Sequence, residues 1–195
     1  MTADLLLEHR AFDAFLREAQ GVLTRAREPE QRLRALIEPL QHLLMEDFLA
    51  SEFTAVSDDR GYSQYLLYRS SDRKVSIVAL AVAPKVKTPI HDHDTWGVSG
   101  LYQGSQVSRV FRQEDSRRGV KLSQTRKQRM KSGDVAVILP PGEDIRMVEA
   151  TSKIPAVAIA VLGADIGCER RRAFEKRSGD AGEFGALNLA HVPED

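Results

Sequence analysis

Up to about residue 48 the apolar side chains of this chain recur at helical spacing; from about Tyr62 onward they come in short runs cut by turn residues. That change of period, from about 3.6 residues to about 2, constrains the fold more tightly than any other feature of the chain. In the first part Leu5, Leu6, Phe12, Phe15, Leu16, Val22 and Leu23 form one stripe. Leu33, Leu36, Ile37, Leu40, Leu43, Leu44 and Phe48 form a second, and Glu28-Pro29 separates them. Two amphipathic helices are expected. The runs that follow are YSQYLLYR, KVSIVALAVA, WGVSGLYQ, QVSRVFR, VAVIL and PAVAIAVLG. Turn signals lie between them at Ser71-Asp72, Pro84, Gly104-Ser105, Ser132-Gly133-Asp134 and Pro140-Pro141-Gly142. Many short strands after a helical start predict a β-sandwich or barrel carrying an N-terminal helical layer. The polar stretch Glu114 to Lys131 reads as a solvated hairpin with a basic flank. The Gly-rich tail after Phe174 is expected to wrap the surface or fray. One domain is expected, with residues 1–55 as helical layer, 56–175 as barrel and 176–195 as tail.

Charge narrows the class of partner. The chain balances 28 basic residues against 28 acidic ones, so neither a nucleic-acid surface nor a polybasic membrane patch is expected. A small molecule suits it better. Cys168 is the only cysteine, which excludes an internal disulfide framework and a CxxC metal knuckle and is consistent with a reducing compartment. The opening MTADLLLEHRAFD has acidic residues early and too short an apolar run for a signal peptide or a membrane span. A cytoplasmic protein is expected.

The chemistry concentrates in TPIHDHDTWGVSGLYQG, where His91 and His93 stand one residue apart. Residues i and i+2 of a strand point to one face, so both imidazoles could reach a single ion. Neutral imidazole suits first-row metals, and Asp92 either faces outward or orients a ring. Pro89 fixes the entry to the pair. His9, His42 and His191 read as exposed or capping residues, and Cys168 as a buried apolar residue with no adjacent histidine to activate it.

Around this pair the chain resembles the thiol dioxygenase cupins, the family that includes cysteine dioxygenase and the bacterial mercaptopropionate dioxygenases. TPIHDHDTWGVSGLYQG is similar to their first motif, YSQYLLYRSSDRKVSIVALAV to the strands before it, SGDVAVILPPGEDIRMV to the second motif, and PAVAIAVLGADIGCERR to the closing strand and turn. The resemblance covers about Tyr62 to Arg172. It implies a mainly β protein, a cupin (jelly-roll, double-stranded β-helix) barrel with N-terminal α-helices. It also implies one Fe2+ ion, or another divalent transition metal, with O2 and a small thiol that is oxidised to a sulfinate. It implies His91 and His93 as metal ligands and Gln64 and Arg171 as contacts to a substrate carboxylate. Trp96 is expected at the barrel mouth, with a wall of the substrate pocket as its functional reading.

The match fails at instructive places. The family's third histidine is replaced in Asp144-Ile145-Arg146 by Arg146, whose guanidinium has no lone pair for a metal. The family's Ser-x-His-x-Tyr relay is replaced by Ala158, Ala160 and Leu162. Gly97 stands where animal cysteine dioxygenases carry a cross-linked cysteine. Asp94, Glu143 and Asp144 are the carboxylates near enough in sequence to complete a facial triad, although Asp94 follows His93 directly and should face away. Three readings follow. The first is an oxygen-using metalloenzyme with Arg146 as a catalytic cation holding an anion against the metal. The second is a non-catalytic cupin that keeps the barrel as a ligand-binding module. The third is a metal-dependent isomerase or lyase on the same barrel.

Overall fold

In a computed structural model that describes residues 4–56, 59–116, 119–166, 171–175 and 181–183, the chain opens with a two-residue strand, β1 (Asp4–Leu5), followed by α1 (Arg10–Arg25) and α2 (Pro29–Leu44). Cys168 and His191 lie outside these residues. Leu5 is thus not part of the first helix: it pairs with Tyr68, and Asp4 forms an ion pair with Arg69. The His9 side chain accepts a hydrogen bond from the Ala11 N–H and caps α1. Pro29 starts α2, where its missing N–H and fixed φ cost nothing.

After a 3-10 turn at Ser51–Thr54 come β2 (Tyr62–Arg69), β3 (Ser76–Val82), β4 (Ile90–His91), β5 (Gly97–Gln103), β6 (Ser105–Ser116), β7 (Gly119–Lys131), β8 (Val135–Ile138), β9 (Ile145–Ala150), β10 (Ala156–Leu162), β11 (Arg172–Phe174) and β12 (Ala181–Glu183). One sheet has the order β1-β2-β3-β10-β5-β8, the other β12-β11-β4-β9-β6-β7. Of the strands β3 to β10, the first, eighth, third and sixth lie in one sheet and face the second, seventh, fourth and fifth in the other. This is the jelly-roll order of a cupin barrel.

Alternation along the strands assigns the two faces of the first sheet. Val157, Ile159 and Val161 of β10, with Ile77, Ala79 and Ala81 of β3, point outward to Phe12, Leu16, Leu36 and Leu40 of the helices. Their neighbours Ala158, Ala160, Leu162, Val78 and Leu80 point into the barrel. Both faces being covered, β3 and β10 read as continuous apolar runs. Gly100 lets α2 lie close: a Cβ there would stand 2.4 Å from Leu44 Cδ1.

The stretch expected to be a solvated hairpin is a hairpin, β6 with β7, but it is not wholly solvated. Met130 is buried on the cavity side, and Leu122, beyond a bulge in the β6–β7 register, is buried on the opposite face with Phe111 and Ile145. Within the tail, residues 181–183 pair with β11. No helix among the described residues is long and apolar enough to cross a membrane.

Candidate functional site

A cavity of about 50 Å³ lies between the two sheets, and His91, His93, Arg146, Arg171 and Gln64 all line it. His91 ends β4, opposite Arg146 on β9. It is buried, and its Nδ1–H is donated to the Pro89 carbonyl at 3.0 Å. His93 lies beyond the strand, which corrects the expectation that both histidines share one: β4 stops at His91, and Asp94 follows at φ 51°. The His93 ring is held instead by its own Nδ1–H, donated to the Asp144 carbonyl at 2.9 Å. The ring centroids are 4.9 Å apart and tilted by 41°.

With Nδ1 protonated in both rings, Nε2 is the nitrogen that carries the lone pair. Burial, and then the charge of Arg171, push the His91 pKa down to about 4. Burial, and then His91 itself, hold His93 well below its ordinary value. Both rings are neutral at physiological pH.

Asp92, between them, orients neither. It is buried, and its carboxylate accepts the Arg172 N–H at 2.7 Å and the Arg172 Nε–H at 2.6 Å. The contact ties the histidine segment to β11 and so sets the position of Arg171, the residue before Arg172. Arg171 donates from Nη2 to Gln64 Oε1 at 3.1 Å.

Arg146 is buried and its guanidinium donates to two backbone carbonyls, Glu143 through Nε at 3.1 Å and Val137 through Nη2. Burial lowers its pKa to about 10, with the nearby charge of Arg126 second. Arg171 falls to about 10 for the same first reason. Both remain cations near neutrality. Among the described residues that line the cavity there is no carboxylate. Glu143 pairs with Arg126 at 3.3 Å, Asp144 accepts the Gly142 N–H at 3.2 Å, and Asp94 is exposed on the outer side.

The wall that the resemblance would furnish with a proton relay is hydrocarbon: Ala158, Ala160 and Leu162 all face the cavity. Gly97 is tied to that change, since a Cβ at this position would stand 2.6 Å from Leu162 Cδ2. Trp96 is not a pocket wall. The inward positions of β5 are Gly97 and Ser99, so Trp96 turns outward. It joins the core beneath the helices, with the Arg32 guanidinium 5.6 Å from its ring and Gly163 closely against it.

Do these residues suit a metal? The imidazoles do, with neutral rings and lone pairs set by backbone contacts. The donor set as a whole does not. No group of three or more His, Cys, Asp or Glu able to hold an ion exists among the described residues. Two guanidinium cations line the same small cavity, where low dielectric strengthens their repulsion of a divalent ion. The described side chains alone do not make a resident metal centre.

Three polar lining residues were not singled out from sequence: Ser99, Gln106 and Ser108. The signal was present in QVSRVFR, where alternation places Gln106 and Ser108 on the face opposite Val107 and Arg109.

No family model matches the sequence. Among solved structures, an oxalate oxidase in complex with the substrate analogue glycolate is similar at 15% identity and a TM-score of 0.45, over 60% of this chain and 59% of that one. An uncharacterized protein with a double-stranded β-helix domain from Klebsiella pneumoniae matches at 12% identity and a TM-score of 0.45, over 73% of this chain and 98% of its own. The cupin domain of Schizosaccharomyces pombe Cnp3 matches at 10% identity and 0.44, over 60% and 72%. The strand order described above, rather than these likenesses, defines the fold.

Proposed function

We propose that this cupin takes a small anion, a short carboxylate above all, into its barrel between Arg146 and Arg171. One observation carries the reading: two buried guanidiniums line a cavity whose described wall holds no carboxylate. The carboxylates that these cations feel, Glu143 and Asp144 for Arg146 and Asp92 for Arg171, do not line the cavity, so an entering carboxylate adds charge-assisted hydrogen bonds on the side that faces it. Gln64 sets the Arg171 fork, and the neutral imidazoles are acceptors suited to a protic group on the ligand. In this reading the barrel is a ligand-binding module that keeps the outline of a thiol dioxygenase without its three-histidine set. Calorimetric titration of chelator-treated protein with acetate, propionate and malonate tests it. Binding is expected, and Arg146→Met and Arg171→Met should each weaken it by about ten- to a hundredfold. Absence of binding, or affinities unmoved in both variants, would overturn it.

A second reading keeps the catalytic possibility of the resemblance: a thiol-dioxygenase-like oxidoreductase using O2, with Fe2+ or another divalent transition metal on His91 and His93. The fixed Nδ1 contacts of both rings favour it. An anionic substrate would have to supply the missing donors. Less than about a tenth of an equivalent of any transition ion in protein purified under protective conditions would count against it. So would oxygen uptake by iron-reconstituted protein that persists in His91→Ala. Turnover under strict anaerobiosis would instead point to an isomerase or lyase.

A further inference from the structure

The cavity has a second polar end. On β6, Gln106 and Ser108 face inward and are each 4% exposed. The only side-chain hydrogen bond of Gln106 among the described residues runs from Nε2 to the Met130 sulfur at 3.7 Å, a weak acceptor. Its Oε1 receives nothing from them, and Ser108 makes no side-chain hydrogen bond among them. Ser99 lines the same space from β5. Buried polar side chains are nearly always paired, so a cluster left with a thioether as its best partner points to something that completes it.

The registers place this end relative to the cations. Arg146 pairs with Val110, and Ser108 pairs with Val148. Two residues along a strand span about 7 Å, so the Ser108 level lies about that far from the Arg146 level. Val148, Ala158 and Ala160 line the wall of the same cavity. Arg146 therefore lies at one level of the cavity and the neutral, hydrogen-bonding Ser108 and Gln106 at levels beyond it, with apolar side chains on the wall beside them.

We infer that Gln106 and Ser108 form a recognition site for the uncharged polar end of a two-headed ligand, a short carboxylate bearing a terminal hydroxyl or amide. The inference rests on the anion reading above. Gln106 offers both a donor and an acceptor, and Ser108 a hydroxyl that turns to suit. The pair distinguishes a polar terminus from a methyl and leaves the carboxylate to the arginines.

Calorimetry with butyrate, 4-hydroxybutyrate and succinamate separates the claims. In the wild type the polar-ended compounds should bind about tenfold more tightly than butyrate, as one or two added hydrogen bonds allow. Ser108→Ala and Gln106→Leu, each checked for native circular dichroism, should cut that preference to about twofold while butyrate affinity holds. Equal affinities in the wild type would mean that water alone satisfies these side chains and would overturn this inference, leaving the arginine site intact. A preference that survives in both variants would also overturn it. No binding by any of the compounds would overturn both readings.

Discussion

An imidazole and a guanidinium at position 146 do opposite things to a cavity that already holds two histidines. Imidazole adds a lone pair; guanidinium adds a permanent charge and only donors. Because residue 146 lies opposite His91 across the β4–β9 pair, Arg146→His should create a three-imidazole set. Co2+ or Fe2+ should then raise the Tm of the variant by several degrees and leave the ligand-free wild type unmoved, as thermal melts would read. The two cavity histidines also predict a pH response. His91 falls from 6.5 to about 4 through burial and then Arg171, and His93 shifts the same way through burial and then His91. Between about pH 6.5 and 4 the unfolded chain takes up protons on these rings that the folded chain refuses, so stability declines as pH falls through that window. Denaturation midpoints measured from pH 7 to 4.5 should drop in the wild type and drop less in His91→Asn.

At the scale of elements, the short strands β4 and β11 bring the histidines and Arg171 together, and Asp92 ties them. Asp92→Asn removes the charge from two hydrogen bonds to Arg172 and should cost about 1.5–3 kcal/mol. It should also weaken carboxylate binding several-fold through Arg171, with faster hydrogen exchange at the Arg172 amide as the readout that a general loss of stability would not single out. These strands were the hardest to read in advance. The helices and the apolar strands declared themselves by period, because a segment that buries a face repeats at the spacing of that face. β4 is two residues long, too short for any period, and His93 is held by a carbonyl 51 residues away. β7 was hidden by its charges, since among its described side chains only Leu122 and Met130 are buried, and a bulge puts them on opposite faces. Trp96 misled for a related reason: its face depends on the inward register of Gly97, which composition does not announce. Arg146, Arg171 and Gln64 were legible through the resemblance. Gln106 and Ser108 needed the barrel to give their alternation a direction.

Across the whole molecule, stability and recognition are divided between the two faces of one sheet. The outer side chains of β3, β5 and β10 pack on the helices, while the inner ones surround the cavity. Leu36 is fully buried in the outer layer, so Leu36→Ala should cost about 2–5 kcal/mol by leaving a void. Since no atom of Leu36 reaches the cavity wall, carboxylate affinity measured well below the melting temperature should stay within about twofold of wild type. Arg146→Met should lose that affinity, whereas its effect on stability sets the relief of a buried cation's desolvation against the Glu143 and Val137 carbonyls left without their donor. Measured side by side, the two variants test whether the helical layer serves only to cover the sheet. If Leu36→Ala weakened binding as much as Arg146→Met, the strands would be transmitting strain from one face to the other, and the division between the faces would fail.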